Sequence, residues 1–124
     1  MNTISVDLTS DSYQIHVGHH LLAQAGNLIR SCTSGSKILV VTHPDLNKLY
    51  GSELLTSLES ASYSITTATI PTGEHAKSFE SYQKLVSDLA ENRFTREDII
   101  VAFGGGIIGD LAGFAAATYM RGCA

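Results

Sequence analysis

The sequence has 124 residues, of which 44% are hydrophobic and 16% are charged, and its formal net charge is −4. This length suits one globular domain with a single buried core, and no segment has the polar composition of a disordered tail. The acidic balance and the absence of any Lys/Arg-rich run argue against a nucleic-acid partner.

The chain begins with a predicted β-hairpin followed by a short helix. Apolar and polar residues alternate over residues 4–8 and again over residues 13–17, on either side of a polar turn. Apolar residues then recur at helical spacing from His20 to about Ser31, and Ser34-Gly35-Ser36 ends that pattern. These segments predict two antiparallel strands and one helix.

The next segments predict a buried strand, a crossover helix and a second strand. The continuous apolar run Lys37–Thr42 suits a strand that is covered on both faces, as in a parallel sheet. A helix is predicted from Leu46 to about Ser60, somewhat weakened by Gly51. Residues 63–70 are rich in Thr and Ile and predict another strand, which Pro71-Thr72-Gly73 ends.

A loop over residues 71–77 leads into a helix with a recognisable start. Ser78 is a plausible N-cap, and the helix should run to about Asn92. Its apolar stripe is predicted to contain Phe79, Tyr82, Leu85, Val86 and Leu89.

Asp98–Phe103 then predicts a buried strand, followed by three glycines and a helix from about Asp110 to Met120. The order is ββα and then βα three times. Strands that alternate with helices predict an α/β fold with a Rossmann-like, doubly wound, mostly parallel sheet, to which the N-terminal β-hairpin is an appendage. With no repeat or linker visible, we expect residues 1–124 to form one domain.

The cysteines, the N-terminus and the most apolar stretch indicate where in the cell the protein is located. Cys32 and Cys123 are far apart and lack C-x-x-C spacing, and Met1–Val6 does not resemble a signal peptide. Residues 99–120 are apolar enough to suggest a membrane span, but Asp110 in their middle argues against insertion. The sequence therefore predicts a cytoplasmic protein with no membrane partner.

The glycine loop carries the strongest chemical signal. Gly104-Gly105-Gly106-Ile107-Ile108-Gly109 follows a strand, opens a helix and satisfies G-x-G-x-x-G. Such a loop lets the backbone approach a pyrophosphate, and the helix N–H groups supply donors. Alternatively, the glycines, Gly113 included, permit only a tight turn and close packing. Asp110 is either a ligand for a ribose hydroxyl or, as composition alone favours, a helix N-terminal cap.

A second loop, Thr72–Lys77, leaves the preceding strand and should lie at the same sheet edge. Glu74 could accept hydrogen bonds from ribose hydroxyls and Lys77 could reach a phosphate. Composition alone favours a solvated charged turn. Two loops at one carboxyl edge nevertheless define a candidate cleft.

The histidines do not indicate a metal site. His19 and His20 are adjacent and point in different directions, and His16, His43 and His75 have no paired spacing. The chain also lacks a recognisable nucleophile and base pair. We predict no metal-binding or catalytic residues within these 124 residues.

Two motifs carry a resemblance to a known family. The segment Gly104–Gly122, which reads GGGIIGDLAGFAAATYMRG, closely resembles the signature of 3-dehydroquinate synthases. The same family has a Pro-x-Gly-Glu-x-x-Lys-Ser loop, matched by residues 71–78, and an opening hairpin followed by a strand that ends near Thr42. The resemblance extends over the whole chain.

The resemblance implies an enzyme of the shikimate pathway of aromatic amino-acid biosynthesis. Such enzymes convert 3-deoxy-D-arabino-heptulosonate 7-phosphate into 3-dehydroquinate and phosphate, which makes them carbon–oxygen lyases. They use NAD and a divalent metal, zinc or cobalt, and they act as homodimers.

The resemblance also implies roles for particular residues. Arg121 would bind the substrate phosphate in the active site of a neighbouring subunit. Two positions depart from the family pattern. Thr72 stands where the family commonly has Asp, and His43 stands where it commonly has Asn or Asp. The implied cofactor-binding residues are His43, Thr72, Gly73, Glu74, His75, Ala76, Lys77, Gly105, Gly106, Ile107, Ile108, Gly109 and Asp110.

Family members continue beyond the position of Gly122 into a further strand, a substrate loop and a helical domain with Glu and His zinc ligands. We therefore expect this chain to be an incomplete NAD-binding amino-terminal domain that is inactive alone. The alternatives are another sugar-phosphate cyclase, a polyol dehydrogenase of the glycerol dehydrogenase type, which lacks the ending with Arg121, or a non-catalytic nucleotide-binding remnant.

Overall fold

The apolar run Lys37–Thr42 forms the central strand of a three-stranded parallel sheet in the computed structural model, which describes all of residues 1–124. The other strands and the helices follow the predicted order. The strands are β1 (Asn2–Val6), β2 (Tyr13–Val17), β3 (Lys37–Thr42), β4 (Ser64–Thr69) and β5 (Ile99–Phe103), and the helices are α1 (Ala25–Arg30), α2 (Pro44–Ser60), α3 (Phe79–Glu91) and α4 (Gly106–Thr118).

The sheet order is β4-β3-β5, and β3 pairs in parallel with both neighbours. The chain passes from β3 through α2 to β4, and then from β4 through α3 across the sheet to β5. Because parallel crossovers are right-handed, the two connections place α2 and α3 on opposite faces. The predicted α/β fold with a parallel sheet covered on both faces is confirmed.

Alternate residues of β3 build two separate cores. Leu39 and Val41, both 0% exposed, point towards α3 and α4. Ile38 and Val40 point the other way and pack with Leu54 and Leu58 of α2. A strand that is buried on both faces explains why its sequence shows no polar alternation.

The strand β5 is less buried than predicted. Ala102 is exposed, and Ile100, Val101 and Phe103 are only half-buried. The cause is its place at the edge of the sheet, where only β3 pairs with it. On its outer side the Ile100 N–H donates to the Ala124 carbonyl at 2.8 Å.

The predicted apolar stripe of α3 is wrong at its first position. Ser78 caps the helix as predicted, since its hydroxyl accepts from the Ser81 N–H at 3.2 Å. Leu85 and Leu89 are 0% exposed, but Phe79 is 84% exposed. Phe79 is the first helical residue and does not belong to the core cluster that α3 covers, so periodicity alone could not place it.

Two helix starts also differ from the prediction. The segment after His20 begins as a 3₁₀ turn over Leu21–Gln24 before α1. The helix α4 begins at Gly106, four residues earlier than predicted, because its glycines continue the helical path instead of delaying it. No helix is both long and apolar enough to cross a membrane.

The N-terminal hairpin pairs β1 with β2 in antiparallel register, with Ile4 opposite Ile15, as predicted. Its side chains are largely exposed. The hairpin is therefore an appendage and not part of the parallel sheet.

The buried carboxylate of Asp98 ties the starts of β3 and β5 together. It is 4% exposed and accepts from the Lys37 N–H at 3.0 Å, the Ser36 N–H at 3.3 Å and the Thr95 N–H at 2.8 Å. Burial would raise the pKa of Asp98, but these hydrogen bonds outweigh it and hold the pKa below its usual value of 3.8.

We expect Asp98→Asn to lower the free energy of unfolding by about 1–3 kcal/mol at pH 7, because an amide N–H would face a backbone N–H. Urea denaturation measures this loss. Since the folded pKa is depressed, the stabilisation is present above the unfolded pKa and is lost as pH falls through the folded value. The difference between the wild type and the variant should therefore shrink in acid.

The matched control is Glu97→Gln, which neutralises an exposed carboxylate one residue away. It should change stability by less than about 0.5 kcal/mol. Equal effects of the two substitutions would contradict the assigned role of Asp98.

Candidate functional site

Three chain segments meet at the carboxyl edge of the parallel sheet, where ligands bind in open α/β folds. His43 follows β3, residues 71–77 follow β4, and Gly104-Gly105 follows β5. The strands run in the same direction, so all three segments leave at one edge. The cleft predicted from the sequence has its elements at this edge.

The loop after β4 is anchored at both ends and open in its middle. Ile70 is 1% exposed and Ala76 is 4% exposed, and both pack in the core under α3 and α4. Between them the chain turns at Gly73, whose φ of 105° is disfavoured for any residue with a side chain. The side chains of Glu74 and His75 are exposed above this anchored base.

His43 joins the ends of two neighbouring strands. Its Nδ1 lies 2.7 Å from the Ile70 carbonyl oxygen, and the side chain is half-buried. The imidazole therefore holds the start of the 71–77 loop against the end of β3. Its contact with a cofactor stays a prediction.

The glycines after β5 divide into two kinds. A Cβ added at Gly104 would lie 2.8 Å from Cγ1 of Ile108, so this glycine is needed for close packing. A Cβ at Gly105, Gly106 or Gly109 would meet nothing within 4 Å, and the same holds at Gly113. Of the three glycines to which the packing explanation was applied, it is therefore right for Gly104 and wrong for Gly109 and Gly113.

The N-terminus of α4 offers hydrogen-bond donors that no side chain of the chain uses. Gly105 is the N-cap, and no side chain accepts from the first turn, which also contains no acidic residue. The first N–H groups of a helix have no acceptor within the helix, and they attract anions through the helix dipole. Free donors beside three open glycines make this edge suitable for a pyrophosphate.

Asp110 does not cap α4, so the capping interpretation is wrong. The helix begins four residues earlier, and Asp110 lies in its second turn. Its carboxylate Oδ2 lies 2.6 Å from Lys77 Nζ, and the two side chains are 61% and 45% exposed, respectively. The hydrogen bond from Lys77 to Asp110, together with their charge attraction, raises the pKa of Lys77 above 10.5.

A shallow aromatic groove lies beside this ion pair, and it was not predicted from the sequence. The groove has a volume of about 320 Å³. The Tyr82 and Phe114 rings have centroids 4.8 Å apart, and the Tyr82 hydroxyl lies 2.7 Å from Thr118 Oγ1. Phe79, which is 84% exposed, also lines the groove.

Arg121 lies at the opposite end of α4 from the cleft. Eight helical residues lead from Asp110 to Thr118, which is about 12 Å along the axis. Met120 and Arg121 both have left-handed backbones, with φ of 48° and 65°. Such a conformation is unusual outside glycine and is found at functional positions. Arg121 is exposed and does not join the other predicted site residues.

No three His, Cys, Asp or Glu side chains come together anywhere in the chain to form a metal site. The five histidines in particular are dispersed over the hairpin, the sheet edge and the loops. The residues present therefore do not fit a metal centre.

Comparison with known proteins confirms the family resemblance. Residues 67–124 match the family model described as 3-dehydroquinate synthase N-terminal. The chain is 43% identical over 119 residues to 3-dehydroquinate synthase of Nostoc punctiforme, covering 96% of this chain and 33% of the relative. It is 42% identical over 122 residues to that of Latilactobacillus sakei subsp. sakei, covering 98% and 34%. The chain spans about a third of the length of these relatives.

Solved structures show the same fold. A 2-deoxy-scyllo-inosose synthase complexed with carbaglucose-6-phosphate, NAD+ and Co2+ superposes with a TM-score of 0.86 at 20% identity, covering 99% of this chain and 34% of that one. A 2-epi-5-epi-valiolone synthase from Streptomyces hygroscopicus subsp. jinggangensis, with NAD+ and Zn2+ bound, gives a TM-score of 0.76 at 27% identity, covering 95% and 32%.

We expect Gly109→Ala to raise the free energy of unfolding by roughly 0.5–1 kcal/mol, because alanine favours a helix and its methyl group meets open space. Gly104→Ala is the opposing control and should destabilise the chain, since its methyl group collides with Ile108. Thermal or urea unfolding measures both changes. A destabilised Gly109→Ala variant would show that Gly109 has a packing role after all.

Proposed function

We propose that residues 1–124 form one domain that binds NAD+ at the carboxyl edge of its parallel sheet. The chain is similar to the amino-terminal third of the 3-dehydroquinate synthases. The observation that carries the proposal is the start of α4, where open glycines flank N–H groups that no side chain caps. A pyrophosphate needs both features, because its oxygens must come close to the backbone that donates to them.

The surrounding residues suit the rest of a dinucleotide. In the proposed complex Gly105, Gly106 and Gly109 admit the pyrophosphate, while the backbone N–H groups of Ile107 and Ile108 donate to it. The Gly109 N–H already donates to the Gly105 carbonyl. The exposed Glu74 and Asp110 carboxylates are acceptors for ribose hydroxyls, and Lys77 is a cation for the phosphates. Thr72, Gly73, His75 and Ala76 form the loop that carries Glu74, and His43 holds the base of that loop.

Support for NAD+ also comes from the two similar enzymes that were solved with NAD+. NAD+, when bound, accepts and returns a hydride. The chain's own contribution is to hold that cofactor against the sheet edge.

We also propose an activity for a protein in which this chain is joined to the remaining two thirds of such a relative. That protein would catalyse the 3-dehydroquinate synthase reaction, which eliminates phosphate from 3-deoxy-D-arabino-heptulosonate 7-phosphate and forms 3-dehydroquinate. The relatives of 38–43% identity carry that name. The two solved neighbours are cyclases, which favours a cyclase over a polyol dehydrogenase. The divalent metal, zinc or cobalt, would have to be held elsewhere, because this chain gathers no ligand set.

Arg121 is proposed to bind the phosphate of the sugar-phosphate substrate in a second copy of the chain within a homodimer. Its position at the far end of α4 keeps it out of the cleft of its own copy. A guanidinium binds a phosphate dianion through paired N–H donors. Cytoplasmic location stays a prediction.

NAD+ titrated into the 124-residue chain should shift the backbone amide NMR signals of residues 104–110. Gly106→Leu should weaken the binding at least about tenfold, because its side chain fills the open space at the start of α4. Gly113→Leu makes the same change two turns further along, again into open space, and should leave NAD+ binding intact. Equal losses in both variants would count against the glycine loop as the site.

The chain alone should release no phosphate from 3-deoxy-D-arabino-heptulosonate 7-phosphate when NAD+ and Zn2+ are supplied, because it gathers no metal-ligand set and spans only about a third of its relatives. A phosphate assay against a blank without protein measures this, with a full-length relative as the positive control. Turnover by the 124-residue chain would overturn the proposal that it is only the nucleotide-binding part.

A further inference from the structure

Lys77 and Asp110 face each other across the mouth of the cleft. Lys77 ends the loop after β4, and Asp110 lies on α4, so the pair joins two elements that are otherwise separate in the chain. Each side chain has the other as its partner, at 2.6 Å. Both are about half exposed, so either can rotate away towards a ligand.

The pair lies within reach of the open helix start. Asp110 follows Gly106 by four residues, which places the two on the same face of α4 one turn apart. A phosphate at the first turn would therefore feel the lysine as an attraction and the carboxylate as a repulsion. While the two bind each other, their charges cancel, and the nearby exposed Glu74 carboxylate repels an approaching anion.

We propose that Lys77 and Asp110 form an exchange pair that selects the ligand: it opens for a molecule that carries both a phosphate for Lys77 and a neighbouring hydroxyl for Asp110. A nucleotide with free ribose hydroxyls gives each side chain a new partner: its phosphate binds Lys77 and its hydroxyl donates to Asp110. Inorganic pyrophosphate can bind Lys77 but has no hydroxyl to donate, so it leaves the Asp110 carboxylate unpaired beside an anion. The inference rests on the proposed nucleotide site and adds a cause for its selectivity.

The effect should be modest, because exposed ion pairs shift equilibria by about two- to fivefold. Asp110→Asn frees Lys77 and removes the repulsion, so inorganic pyrophosphate should bind about two- to fivefold more tightly than to the wild type. The same variant should bind NAD+ more weakly, because an amide is a poorer hydroxyl acceptor than a carboxylate. Lys77→Gln should weaken binding of both ligands.

The experiment titrates the 124-residue wild type and variants with pyrophosphate and, separately, with NAD+, following backbone amide NMR signals at constant ionic strength. The dispersed spectrum of each variant reports that it is folded. Asp88→Asn is the matched control, since Asp88 forms an ion pair with Lys84 on α3, away from the cleft, and its substitution changes the net charge equally. It should leave both affinities unchanged.

NAD+ tests the proposed nucleotide site, and pyrophosphate tests the exchange pair. Failure of the wild type to bind NAD+ would overturn the nucleotide site itself. Pyrophosphate affinity that is unchanged or lower in Asp110→Asn, or undetectable in both proteins, would overturn the exchange pair whatever NAD+ does. Tighter binding of both ligands to Asp110→Asn would show that the carboxylate only repels anions and selects nothing.

Discussion

Burial of β3 on both faces is the constraint on which the rest of the structure depends. Its side chains leave no surface for water, so helices must cover each side of the sheet. Only parallel neighbours with crossover helices achieve this within one short chain. Parallel strands in turn bring every strand end to one edge, and the candidate site is a consequence of that geometry.

The two edges of the sheet differ in how their polar groups are satisfied. At the amino edge, the Asp98 carboxylate accepts backbone N–H groups from the starts of two strands, and Lys37 donates to the Asn92 and Arg93 carbonyls. At the carboxyl edge, α4 starts without a capping side chain. Buried polar groups cost stability unless they are paired, and the unpaired donors at the start of α4 avoid this cost because Gly105 and Gly106 are exposed to solvent or a ligand.

Periodicity and local motifs were sufficient for the elements and for the glycine loop, but not for features that depend on distant neighbours. The limits of β3 and the Ser78 cap follow from a few adjacent residues, and both were predicted correctly. The exposure of β5 depends on its place at the sheet edge, which strand propensity does not reveal. The start of α4 was placed too late because three glycines favour a turn when taken alone. Because of that error, Asp110 was interpreted as a helix cap, whereas it lies in the second turn of α4.

The ion pair between Lys77 and Asp110 is a feature of the loop after β4 that composition could not predict. A charged, glycine-containing turn is usually solvated, and Glu74 and His75 do remain exposed. Lys77 differs because β4 and β5 flank the same central strand, which brings its loop against α4. The contact depends on sheet order, and sheet order depends on the buried β3.

The helix α4 separates two features of the chain. It begins at open glycines with free N–H groups. It ends at Thr118, and just beyond it Met120 and Arg121 have positive φ values without a glycine to relieve them. A rigid helix fixes the distance between its ends, so no rotation of the Arg121 side chain brings it to the glycine loop of the same copy. The glycine loop and Arg121 therefore cannot contact one phosphate group within a single copy, so the proposed nucleotide site and the proposed substrate contact of Arg121 are separate features of the chain.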